Sequence, residues 1–73
     1  MPIYTNHTRF SAIVTLRIES TNQPEAALEI GQAPLYDKQQ ADKGWHDFQV
    51  GPGMSIEAIN GTVAIVQGVR AGV

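Results

Sequence analysis

Cysteine is missing from this sequence altogether, and aromatic residues, charge and long apolar runs are all scarce. Without a thiol there is neither a disulfide nor a thiolate metal site. The two histidines, His7 and His46, lie too far apart to form a local ligand pair, so no metal or other cofactor is expected. No stretch approaches the ~20 consecutive apolar residues with which a helix spans a bilayer. The opening Met-Pro-Ile-Tyr-Thr-Asn-His has no cationic start followed by an apolar run, so no signal peptide and no membrane partner are expected. In a chain that is not exported, Asn6-His7-Thr8 and Asn60-Gly61-Thr62 read as chance matches to the glycosylation pattern.

Charged residues make up 16% of the chain, with five Lys+Arg against seven Asp+Glu and a formal net charge of −2. Arg9, Arg17, Lys38, Lys43 and Arg70 are scattered, most with an acid nearby, and build no basic face of the kind that displaces counterions from phosphate. No run of carboxylates imitates DNA either. Nucleic acid is not an expected partner.

With 73 residues there is room for one domain and one core. A domain of this size buries only about 60% of the surface its unfolded chain exposes. Small folds offset that deficit with disulfides, a metal or oligomerisation. The first two are set aside above, which leaves an unusually well-packed core or subunit assembly, and assembly is the expectation.

Most of what is present has a β character. From Phe10 to Ser20, the residues Phe10, Ala12, Val14, Leu16 and Ile18 alternate with Ser11, Ile13, Thr15, Arg17 and Glu19, which marks a half-buried strand. Residues 1–9 before it read as an N-terminal arm, and 10–73 as the β module. Between Pro24 and Gly31 the signals conflict. The Pro, the Ala-Ala-Leu-Glu and the closing Gly suit a short helix, whereas the alternation of Leu28 and Ile30 with Ala27 and Glu29 leans to strand. Ala33-Pro34-Leu35-Tyr36 reads as an extended edge segment. The polar Asp37–Gly44 stretch reads as an exposed loop or a single helical turn. Trp45 to Val50 is a strand with His46, Phe48 and Val50 on one face, broken by Gly51-Pro52-Gly53.

Asn60-Gly61, flanked by Ser55–Ile59 and Thr62–Val66, carries the signature of a type I′ hairpin. That register would place Ile56, Ala58, Val63 and Ile65 on one face. The expected fold is all-β: a small sandwich or partly open barrel of about five strands with a C-terminal β-hairpin. The expected core is Phe10, Val14, Leu16, Ile18, Phe48, Val50, Ile56, Val63 and Ile65. Ile13, Trp45, Ile59, Val66 and Val69 then point away from it and are the candidate interface residues.

No catalytic residue is expected. Ser11, Ser20, Ser55 and the two histidines could supply a triad by chance, but no local sequence marks one. His46, in phase with Phe48 and Val50, reads as a half-buried hydrogen-bonded residue. Asp37, Asp42 and Asp47 lack the alternate-position oxygens of a calcium loop. A platform of Trp45 and Tyr36 for a sugar or a base competes with the plainer role of Trp45 as a core anchor.

The segments FSAIVTLRIES, DKGWHDFQV and INGTVAIVQGVRAGV together resemble small β-sandwich virion proteins of tailed bacteriophages. The resemblance covers roughly two-thirds of the chain and leaves Pro24–Tyr36 unmatched. It implies head decoration, capsid cementing or a tail role. Such a protein acts as a homo-oligomer among other virion or host proteins, in the virion or the host cytoplasm, and the resemblance transfers no functional residue. The competing expectation is a small inhibitor or adaptor, of anti-host or anti-CRISPR type, that binds one host protein.

Overall fold

The computed structural model describes residues 2–20, 27–40, 42–59 and 61–72. It is all-β and contains no helix among these residues. The strands are β1 (Tyr4–Thr5), β2 (Ala12–Ser20), β3 (Ala27–Gln32), β4 (Leu35–Gln40), β5 (Gly44–Val50), β6 (Ser55–Ile59) and β7 (Val63–Ala71). They form two antiparallel sheets, ordered β1-β6-β3-β4 and β5-β2-β7. The chain passes from one sheet to the other at every connection except β3–β4, where Ala33 and cis Pro34 join Gln32 to Leu35.

β2 is the spine of the three-stranded sheet. Its inward residues Val14, Leu16 and Ile18 are fully buried, and pairing with β5 sets Phe48 beside Val14 and His46 beside Leu16. Leu28 and Ile56 close the core from the four-stranded sheet, joined by Val50 at the end of β5. Ile3, Tyr4, Ile30, Ala58, Ala64 and Val66 pack around this cluster.

The segment around Gly61 behaves differently from the expected hairpin, Asn60 itself lying outside the described residues. The local turn is there: the Thr62 amide donates to the Ile59 carbonyl at 3.1 Å, and Gly61 has φ of 78°. Yet β6 pairs with β1 and β3, while β7 pairs with β2 in the opposite sheet. The turn therefore carries the chain across the sandwich, and the C-terminal β-hairpin is absent. The phase of β7 changes with it. Because residues paired across an antiparallel ladder share a face, Val66 beside Leu16 and Ala64 beside Ile18 point inwards. Val63 and Ile65, expected in the core, lie on the outside and are exposed.

Phe10 is also outside, 74% exposed. It precedes β2 in a bend held by hydrogen bonds from Asn6 and Thr8 to its own carbonyl, so the strand's alternation does not reach it. The Asp37–Gln40 stretch is strand rather than loop or helical turn. As the edge strand β4 it pairs backbone to backbone with β3 and buries little, which is why its composition shows no period of two. Over Pro24–Gly31, residues 27–31 are strand, and residues 24–26 lie outside the described residues.

The expected N-terminal arm carries β1 and the buried Asn6. Every hydrogen-bonding group of Asn6 is engaged. Its Nδ2 donates to the carbonyls of Phe10 at 2.7 Å and Val50 at 2.9 Å. Its Oδ1 accepts from the Thr8 amide at 2.9 Å and the Thr8 hydroxyl at 2.7 Å. Its backbone exchanges bonds with Met54 and Gly53, both at 2.8 Å. Asn6 thus ties the β1–β2 connection to the β5–β6 turn, and its amide nitrogen is committed inside the fold.

Candidate interaction face

The outer faces of the two sheets differ in character. On the four-stranded sheet, Glu29 stands in register between Lys38 and Glu57, and Thr5 Oγ1 lies 2.9 Å from Ser55 Oγ. The centre of that face is charged and polar, with Ile59 and Tyr36 two positions away on either side of Glu29's register. On the three-stranded sheet, the register sets Arg17 between Trp45 and Ile65, Thr15 between Asp47 and Gly68, and Ile13 between Gln49 and Arg70. Trp45 is 64% exposed and Ile65 41%, with exposed Val63 further along β7. A central strand with three fully buried side chains beneath makes this a stiff support for exposed apolar groups.

A polar network crosses the same face. The Thr15 hydroxyl donates to Asp47 Oδ1 at 2.5 Å, Arg70 Nη2 to Asp47 Oδ2 at 3.0 Å, and Arg70 Nη1 to Thr15 Oγ1 at 3.1 Å. The Thr15 hydrogen bond first, and Arg70 second, hold the Asp47 carboxyl below the ordinary carboxylate value. Hydrogen bonds to the charged form favour it. Arg17 is drawn sideways to Glu19, 2.7 Å away. A shallow hollow of about 360 Å³ lies between Trp45 and this network.

Asp47 is already engaged by two donors. His46 Nε2 donates to the Asp42 carbonyl at 2.7 Å, and its ring lies 6.1 Å from that of Phe48. No group of three or more His, Asp or Glu that could hold a metal occurs among the described residues.

The five sequence-derived interface residues do not form one patch. Ile13, half-buried, and Trp45 share the outer face just described. Ile59 is half-buried on the opposite sheet, in register with Ala27. Val66 packs against the core. Val69 is exposed at the open side between β1 and β7, near Tyr4, Phe10 and Ala12, where a hollow of about 260 Å³ lies. Sequence reasoning missed Val63 and Ile65 as surface residues, because an apolar run of the type Val-Ala-Ile-Val does not reveal which of its faces is covered. It also missed the exposed Leu35, Tyr36 and Met54, which line a cleft of about 470 Å³ beside β4. No known protein family, curated protein or solved structure matches this chain.

Proposed function

We propose that this chain is a non-enzymatic contact module that acts as a homo-oligomer, presenting the outer face of its three-stranded sheet to neighbouring subunits or proteins. The observation that carries this reading is the row Trp45–Arg17–Ile65, with Val63 beside it, exposed on a rigid sheet. Trp and Arg are the residues most often responsible for binding energy at protein contacts. Covering apolar area is worth about 25 cal/mol per Å² before association costs. The smallness of the core gives assembly a further reason. The setting we propose is that of a bacteriophage virion component, a capsid decoration, cement or tail protein, which rests on the resemblance given above.

Light scattering on the purified protein at micromolar concentration tests the assembly, together with the emission wavelength of Trp45, the sole tryptophan. A defined oligomer, with Trp45 emission shifted to shorter wavelength than in a dissociated sample, is expected. A monomer at every concentration would overturn the oligomer reading and favour the small inhibitor that binds one host protein.

A further inference from the structure

The two sheets leave four edges, and three of them carry features that discourage strand addition. β1 is two residues long. β4 carries Asp37 and Lys38. β5 carries Asp47 and His46. Short edges and charged edge residues are the usual guards against edge-to-edge pairing. The fourth edge, β7, is nine residues long and pairs with β2 on one side only. Its single charged residue, Arg70, is turned across the sheet to Thr15 and Asp47. From Val63 to Gln67 the strand has no charge at all. The ladder with β2 shifts register twice. At Gln67 the extra residue is on β7, Leu16 pairing with Val66 and Thr15 with Gly68. At Glu19 it is on β2, Ile18 pairing with Ala64 and Ser20 with Val63, so β7 itself runs without an inserted residue from Val63 to Val66.

We propose that β7 pairs with β7 of a second copy of this chain, antiparallel about a two-fold axis at Ile65, joining the two three-stranded sheets into one of six strands. This rests on the homo-oligomer reading above and adds to it an edge contact with its own register. The contact extends the outer face and leaves Trp45, on β5 at the far edge, for the face contact that its emission reports. A free edge row of backbone N–H and C=O groups is complementary to another strand, and the long 3.4 Å bond that Gln67 Nε2 gives to the Ile65 carbonyl would yield to it. Self-pairing about Ile65 uses the whole charge-free run and stops at the bulge. Ile65 stands opposite its own copy, Ala64 opposite Val66, and Val63 opposite Gln67. With the axis perpendicular to the sheet, Ile65 and Val63 of both copies stay on the outer face, and Ala64 and Val66 stay on the core side. The row Trp45–Arg17–Ile65 then continues across the axis into its own mirror order. Such an isologous contact closes at two copies.

The test uses two variants, Ile65→Glu and Ile65→Lys, at a position already exposed on the outer face. Each should keep the wild-type far-UV circular dichroism and urea midpoint of the dissociated chain. Each alone sets like charges opposite each other at the axis, which should raise the dimer dissociation constant by about tenfold or more. The equimolar mixture should recover the dimer, as Glu meets Lys, and native mass spectrometry identifies it as the heterodimer. A wild-type dimer that both variants leave intact would overturn the β7 pairing while leaving assembly through another face standing. Weakened variants whose mixture does not recover would overturn the register at Ile65. A monomeric wild type would remove the assembly reading and this inference together.

Discussion

Replacing Asn6 by Ala should be among the most damaging changes a polar position in this chain can suffer. The side chain is fully buried and makes four hydrogen bonds, two given and two received. Stranding the buried Val50 carbonyl without that donor costs about 1–3 kcal/mol. The three part-buried bonds to Phe10 and Thr8 add about 0.5–1 kcal/mol each, partly offset because the amide itself no longer has to be desolvated. The net loss is about 3 kcal/mol, in a chain of 73 residues whose whole stability is about 4–11 kcal/mol. With a urea dependence of about 1 kcal/mol per molar, the midpoint should fall by about 3 M. Urea titration followed by far-UV circular dichroism measures it. Asn6→Asp sharpens the test. A carboxylate there faces the carbonyl oxygens of Phe10 and Val50, which raises its pKa in the folded state above that in the unfolded chain. The folded state then binds the extra proton, so this variant should gain stability relative to wild type as the pH falls from neutral. An Asn6→Ala midpoint indistinguishable from wild type, or an Asn6→Asp difference that does not vary with pH, would refute the reasoning.

Leu16→Ala should cost about 2–5 kcal/mol, while Arg17→Ala, which loses an exposed bridge to Glu19, should stay within about 0.5 kcal/mol of wild type; equal losses in urea would show the phase of β2 to be wrong. Gly31→Ala should destabilise by about 1–3 kcal/mol, because its Cβ would run into the Leu35 carbonyl oxygen and lie 2.9 Å from Tyr36 Cα, and amide exchange should quicken first in β4. Thr15→Val should raise the Asp47 pKa towards the ordinary carboxylate value, more than Arg70→Ala does, since the Thr15 hydroxyl is the larger cause. A carboxyl NMR titration reads both. Because the folded value is depressed, the contribution of Asp47 to stability is present at neutral pH and is lost as the pH falls through the folded value. An unchanged Asp47 titration in Thr15→Val would contradict that account.

The strands that could be read from the sequence were those buried on one face alone. β2 and β5 show strict alternation because Val14, Leu16 and Ile18, or His46, Phe48 and Val50, meet the core while their neighbours meet water. β4 could not be read that way, since an edge strand with both faces exposed needs no apolar period. The Asn60-Gly61 pair announced a turn, which the Thr62 amide closes on the Ile59 carbonyl with Gly61 at positive φ. It could not fix which strands the two arms would join, and that choice decided the faces of Val63, Ile65 and Val66. Asn6 was invisible to hydropathy altogether. The trace it leaves is Asn-His-Thr, where an Asn bonding to the backbone two residues on makes a local turn. Of the candidate interface, Trp45 and Ile13 followed from the β2 and β5 phases, whereas Val63 and Ile65 required the pairing of β7.

The repeated crossing between sheets has a consequence for how the chain can be made. β2 finds its two neighbours only in β5 and β7, and β1 finds its own only in β6. During synthesis from the N-terminus, the emerging first half can close little more than the β3–β4 hairpin. Ile18 waits for Gly44 on one side and for Ala64 on the other. Topologies built from such distant pairings fold on the millisecond-to-second scale rather than in microseconds. Until β7 is released, the apolar flank of β2 stands open to other nascent chains, so crowded polysomes, rather than heat, are where this protein should misassemble first.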